Sequence, residues 1–156
     1  MAGVEVFARL LQANASLQRI LNAELQAEHG LTVTDYGVLL YLNRAPGRRL
    51  RRTDLAEATA LTASGITRLL GGLEAAGLVA TESCSADRRV SWAVLTPAGR
   101  ERLRQASPSH VASIQALLGA RLSDDELATL ADLLGRLPGV DARGRECTTG
   151  LERPPS

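Results

Sequence analysis

Two groups of residues in this chain have the types and spacing for recognition chemistry, and both are built around arginine. The first is Asp87-Arg88-Arg89, which with Cys84-Ser85-Ala86 separates two β-prone runs, Val79 to Ser83 and Val90 to Leu95. A hairpin is predicted there, with guanidinium groups at its turn. The second is Ser64, Thr67 and Arg68, which share a polar helical face with Gly71 once Ile66, Leu69, Leu70 and Leu73 occupy the apolar one. A guanidinium forks bidentately onto phosphate or the edge of guanine, and short hydroxyl side chains bond base edges. This is binding chemistry, suited to nucleic acid.

Charge is distributed to match. Residues 44 to 104 hold 11 Arg against 6 acids, net +5, whereas residues 1 to 43 (2 Arg, 4 acids) and 105 to 156 (5 Arg, 7 acids) are each net −2. The overall charge of +1 therefore conceals a basic middle between acidic ends, for which phosphate is the natural partner. All 18 basic residues are Arg, a bias that suits DNA and that a GC-rich genome would also produce. The absence of Lys excludes Schiff-base chemistry and the phosphate-binding P-loop.

Other reactive side chains form no constellation. His110 has Ser109 and Ser113 nearby but no acid arranged with them, and its segment reads as exposed helix. His29, beside Gly30, reads as a helix-end histidine against terminal carbonyls. The two His, the scattered carboxylates and the isolated Cys84 and Cys147 lack metal-ligand spacing, so no metal, cofactor or catalytic site is expected. Two cysteines do not make a disulfide framework. Arg88 and Arg89 beside Cys84 would favour its thiolate, although an indifferent small wing residue is the simpler reading. Trp92 alternates with Val90 and Val94 and is expected to support the hairpin.

The elements that must position these groups have legible ends. At 156 residues and 45% hydrophobic content, one domain with a leucine- and alanine-rich core is expected, since only 3% is aromatic. Val4, Phe7, Leu11, Leu17, Leu21 and Leu25 predict a long first helix ending at His29-Gly30. A second starts at Thr32, with Asp35 in its first turn, and ends before Pro46-Gly47. Leu50 supplies a short strand against the wing. A third helix opens with Thr53 as its capping-type residue and is followed, after a tight turn, by the helix carrying Arg68. Thr96 caps and Pro97 opens a fifth helix toward Leu118, which Pro108 should kink or break. Ser123-Asp124-Asp125-Glu126 is a capping box for a sixth, which Pro138-Gly139 should terminate. Residues 138 to 156, with Arg143-Gly144-Arg145 and Pro154-Pro155, read as a disordered tail. Glu5 and Arg9 interrupt any N-terminal signal, and no apolar run reaches membrane length, so a cytoplasmic protein without membrane contact is expected.

Helix, tight turn, helix and hairpin is the winged helix-turn-helix order. The fold class is therefore mainly α with a small β wing. At this point the chain resembles the MarR family of bacterial transcription factors, over roughly residues 4 to 137. The matching motifs are Thr53-Asp54-Leu55-Ala56-Glu57, Thr67-Arg68-Leu69-Leu70-Gly71-Gly72-Leu73-Glu74-Ala75-Ala76-Gly77-Leu78-Val79, Asp87-Arg88-Arg89, and Leu95-Thr96-Pro97-Ala98-Gly99. Gly71-Gly72 departs from the family, which more often has polar helix formers there, and predicts a soft second half of the recognition helix.

The resemblance implies a single domain over 1-137, with a DNA-binding lobe at about 32-100 and dimerisation helices at about 4-29 and 97-137. It implies a homodimer acting on a pseudo-palindromic double-stranded operator, as a repressor released by an aromatic or drug-like small molecule. Ser64, Thr67 and Arg68 would face the major groove. Arg88 and Arg89 would form the wing contact, Arg89 entering the minor groove with Asp87 positioning it, while Arg51 and Arg52 would meet phosphates. Effectors in the family bind among the first, second and fifth helices, where Asn14, Gln18, Tyr36 and Tyr41 are available. Two alternatives stay open: a regulator sensing redox state through Cys84, and a winged helix serving only protein interaction or dimerisation.

Overall fold

The computed structural model describes residues 1–140, and hydrophobic periodicity and capping place ten elements along them. In order these are α1 (Ala2–His29), α2 (Val33–Arg44), a 3-10 turn (Pro46–Arg48), β1 (Arg49–Arg51), α3 (Arg52–Ala58), α4 (Ala63–Ala75), β2 (Val79–Ser83), β3 (Ser91–Leu95), α5 (Pro97–Gly119) and α6 (Asp124–Leu134). The chain divides into two compact units, Met1–His110 and Val111–Ser156, with α5 running from the first into the second. The Arg143-Gly144-Arg145, Cys147 and Pro154-Pro155 segments lie outside the described residues.

Polar side chains set the helix ends as their positions predict. Gly30 ends α1 in the left-handed conformation, φ 66°, which a residue without a Cβ adopts at little cost. Thr32 and Asp35 form a reciprocal capping box on α2, and Ser123 and Glu126 form another on α6. Thr96 Oγ1 accepts the Gly99 N–H at 3.0 Å at the start of α5. The opening of α3 differs from expectation. It begins at Arg52, with Arg51 as an N-cap that makes no side-chain bond and Thr53 already inside the helix, because pairing in β1 holds Arg51 extended up to the helix start.

Proline acts in two opposite ways. Pro108 does not break α5, which is helical from Pro97 to Gly119. Its missing N–H leaves the Arg104 carbonyl without its helical donor, and the serines on either side bond to other carbonyls, Ser107 Oγ to that of Leu103 at 2.7 Å and Ser109 Oγ to that of Ala106 at 3.3 Å. Pro138, by contrast, stops α6 earlier than its own position. The helix ends at Leu134, the residue whose carbonyl a helical Pro138 would clash with, and Gly135 follows as C-cap.

The core of the first unit gathers Leu25 and Leu31 with Tyr36, Val38, Leu39 and Leu42 of α2, Leu55 of α3, Ile66, Leu70 and Leu73 of α4, Leu78, Val79, Ala93 and Leu95 at the sheet, and Leu103 and Ala106 of α5. The sheet is antiparallel in the order β1-β3-β2, with Leu50 opposite Ala93 and Thr81 opposite Ala93 on its other side. The Asn22 side-chain oxygen accepts the Val33 N–H at 2.7 Å and ties α1 to α2. Toward its N-terminus α1 exposes Val4, Val6, Phe7 and Leu11, and in the second unit Leu130 and Leu133 of α6 are exposed, as are Leu137 and Val140 beyond it.

Gly99 is fixed by contact. A Cβ there would overlap the Leu78 carbonyl oxygen and come within 2.8 Å of Leu95 Cδ1. Gly72 is the opposite case, helical and exposed with open space around its missing Cβ. Urea denaturation is therefore expected to show Gly99→Ala destabilised by about 3 kcal/mol, as forced overpacking against backbone requires. In the same assay Gly72→Ala should be stabilised by about 0.5–1 kcal/mol.

Candidate nucleic-acid interface

Burial of Ile66, Leu70 and Leu73 on one side of α4 turns Ser64, Thr67, Arg68 and Gly71 outward together. Thr62 caps the helix, its Oγ1 accepting the Gly65 N–H at 3.1 Å, and Ser64 Oγ lies 3.2 Å from that same oxygen. Thr67 Oγ1 donates to the Ala63 carbonyl at 2.8 Å, which leaves its lone pairs for an incoming donor. Arg68 is exposed and has no ion pair or hydrogen bond among the described residues.

The wing is the β2–β3 hairpin, and its tip is folded by its own acid. Asp87 Oδ1 accepts the Arg89 N–H at 2.9 Å, the Val90 N–H donates to the Asp87 carbonyl at 3.0 Å, and the Cys84 N–H donates to the Val90 carbonyl at 3.1 Å. Arg88 and Arg89 are thereby exposed at the turn. The Cys84 thiol is pushed below its ordinary value by the backbone N–H groups of Asp87 and Ala86, with Arg49 adding to the effect and the Asp87 carboxylate opposing it. Arg88 and Arg89, the cations that the sequence offers for this, are not the cause.

Arg51 and Arg52 diverge. The Arg51 guanidinium lies 5.4 Å from the centre of the Trp92 ring, and Arg49, a residue not singled out by sequence, lies over the same ring at 4.7 Å. Arg52 is half-buried, donates from Nη2 to Thr81 Oγ1 at 3.2 Å, and keeps a buried Nε without a partner among the described residues. Trp92 thus carries two cations as well as supporting the hairpin. The signal for this was the alternation of Arg49 and Arg51 in a strand predicted to pair with the one carrying the tryptophan.

Asn14, Gln18, Tyr36 and Tyr41 differ in exposure. Asn14 is exposed on α1, Gln18 and Tyr41 are half-buried, and Tyr36 is buried. No hydrogen bond links them among the described residues. A cavity of about 360 Å³ in the first unit is lined instead by Arg48, Leu95, Thr96, Pro97, Arg100, Glu101 and Arg104. Tyr36 belongs to another group: its hydroxyl is 3.1 Å from Ser107 Oγ, and its ring meets His110 edge-on with centroids 4.5 Å apart. His110 is not on an exposed helix face. It follows Gly99, Leu103 and Ala106 at helical spacing and is buried with them. His29 does not cap its own helix either. Its Nε2 lies 3.0 Å from Ser109 Oγ, while Arg102 Nη1 donates to the His29 carbonyl at 2.8 Å.

A capped helix with a polar outer face, preceded by a short helix and followed by an arginine-tipped hairpin, defines a winged helix-turn-helix protein. Comparison with known proteins gives the family. The sequence profile of the MarR family matches residues 29–90. The chain is 31% identical over 134 residues to the HTH-type transcriptional repressor YetL of Bacillus subtilis, covering 86% of this chain and 79% of the relative. Among solved structures it is similar to Sco3205, a MarR family transcriptional regulator from Streptomyces coelicolor in complex with DNA, at 30% identity and TM-score 0.77 over 95% of this chain and 86% of the other. It is also similar to AbsC, a MarR family regulator of the same organism, at 34% identity and TM-score 0.74 over 93% of each chain. The chain belongs to the MarR family, whose members are DNA-binding transcriptional regulators and not enzymes. No helix of the described residues is long and apolar enough to cross a membrane.

Burial holds the His110 imidazole below its ordinary pKa, with the Glu24 carboxylate pulling the other way. The unfolded chain then binds a proton before the folded one does. Stability from this group is complete above about pH 6.5 and is lost as pH falls from there through the lowered folded value. Thermal melts between about pH 8 and 5 should show this decline, and His110→Phe, which keeps an aromatic edge for Tyr36, should flatten it.

Proposed function

We propose that the protein is a homodimeric repressor of transcription that binds a pseudo-palindromic double-stranded operator and is released by a small molecule, acting in the cytoplasm. The observation that carries this reading is the unpaired Arg68 beside Ser64 and Thr67 on the outer face of α4, in a basic central segment that also holds the arginine-tipped wing. Ser64, Thr67 and Arg68 enter the major groove. Arg89 reads the minor groove and Arg88 its rim, with Asp87 setting the turn, while Arg51 and Arg52 meet phosphates. The naming of YetL as a repressor and the solution of Sco3205 with DNA support the same reading.

Two-fold symmetry would set a pair of α4 helices about 34 Å apart, one turn of DNA. The exposed apolar side chains of α1 and α6 support self-association, since such stripes are costly to leave in water. An aromatic or drug-like effector near Asn14, Gln18, Tyr36 and Tyr41 would act by preferring the dimer with the wrong helix spacing.

Binding titrations against the operator, its single-base variants and unrelated duplex test the DNA contacts. Arg68→Ala should lose about 1–3 kcal/mol of discrimination at one base position. Arg89→Ala should weaken binding to all sequences, with the log–log salt slope reduced by about 0.9, and Asp87→Ala should do so in part. Parental behaviour in both arginine variants would refute the assignment.

Sedimentation tests the assembly. The parent chain should be dimeric, and joint Phe7→Glu and Leu11→Glu substitution, at residues 61% and 55% exposed, should yield a folded monomer with weakened operator binding. A monomeric parent would defeat the dimer. A true effector must lower operator affinity as well as raise the melting temperature.

A further inference from the structure

Strand alternation puts Arg49 and Arg51 on one face of β1, with Leu50 turned to the other. In register, Arg51 stands opposite Trp92 and Trp92 opposite Glu82, so arginine, indole and carboxylate form one rung across three strands. The two guanidinium carbons lie 4.7 and 5.4 Å from the indole centre. Stacking occupies the flat face of a guanidinium and leaves the N–H groups along its edge available. Glu82 is the acid that opposes them, 3.5 Å from Arg49 Nη1, with both side chains about half exposed at 49% and 56%.

We propose that Trp92 is a positioning residue for DNA binding, its indole holding Arg49 and Arg51 as a preformed pair that receives backbone phosphates beside the wing. The inference rests on the DNA-binding reading above and adds residues to it. Two placements direct the pair toward DNA. Arg51 immediately precedes α3, the first helix of the helix-turn-helix, which in this motif crosses the sugar–phosphate backbone. Trp92 stands three residues along from Arg89, on the strand leaving the wing tip. An arginine held against an aromatic face loses less freedom when a phosphate arrives than one swinging in solvent. Glu82 competes with that phosphate for Arg49.

The test is a duplex-binding titration at several salt concentrations with the parent, Trp92→Leu, Trp92→Phe, Glu82→Gln, the Arg49→Gln/Arg51→Gln double variant and Arg68→Ala. Trp92→Leu should bind operator and unrelated duplex about five- to thirtyfold more weakly, the loss of two cation–π contacts, with the salt slope lower by about 1 to 2. Trp92→Phe, with a weaker π face, should restore part of the affinity and slope; a merely structural role for the indole would leave the slope of a folded Trp92→Leu unchanged. Glu82→Gln should bind more tightly at low salt. The chain has one tryptophan, so its emission reports the site directly. DNA should shift that emission in the parent, and the double variant should abolish the shift while lowering the slope by about 2. That variant also carries the test if Trp92→Leu fails to fold. Parental slopes in the Trp92→Leu and double variants, with Arg68→Ala still relaxing base preference, would overturn this inference alone. A parent that binds no duplex would overturn the DNA-binding reading with it.

Discussion

The first turn of α5 is pressed against the carbonyl of Leu78 with no room for a side chain, and the winged-helix elements are joined through that contact. The Leu78 oxygen accepts the Thr96 N–H at 3.2 Å, and Thr96 Oγ1 both donates to the Gly77 carbonyl at 2.7 Å and accepts from Gly99. Gly77, at φ 72°, is the residue where the chain leaves α4 for β2. One joint therefore fixes the exit of the recognition helix, the root of the wing and the start of α5 against one another. Its groups are backbone and short side chains, whose hydrogen bonds lose strength steeply with misalignment, so a change of angle at this corner would weaken several bonds at once.

From that corner outward, burial decides which polar groups remain available. Ile66, Leu70 and Leu73 are spent on the core, which leaves the other side of α4 to carry hydroxyls and Arg68. Many arginines elsewhere are already engaged: Arg104 is bound through two nitrogens to Glu101, whose carboxyl is held down at about 2, Arg9 pairs with Glu5 and Arg102 with the end of α1. Arg68 has no such partner within the described residues, and Arg88 and Arg89 point from a turn. A net charge of +5 in the middle of the chain understates how unevenly the usable cations are distributed.

Local chemistry was legible in the sequence and tertiary chemistry was not. Gly30, the Thr32–Asp35 and Ser123–Glu126 boxes, Thr96, and the split faces of α4 are decided within a few residues of themselves, and each stands where its pattern puts it. The strand at Leu50 and the two wing strands also follow their patterns, with Val90 falling just outside β3 because its N–H closes the turn onto Asp87. The misreadings share a different cause. Arg49 acquires its meaning from an aromatic residue more than forty positions away, His29 from Ser109, and His110 from a face of α5 whose burial depends on α2. Pro108 lies inside an unbroken α5, in a segment whose residues Leu103, Ala106, Ser107 and His110 are buried.

The turn at Asp87 has an electrostatic consequence. Its carboxylate accepts the Arg89 N–H, so the wing tip carries one negative and two positive charges within three consecutive residues, the negative one held at the turn. Such a tip has a dipole as well as a net positive charge. A polyanion approaching from the arginine side is attracted more strongly than one approaching from the aspartate side, within the screening length of about 8–10 Å in physiological salt. The wing is then polarised before contact, and its approach to a polyanion has a preferred direction as well as a preferred place.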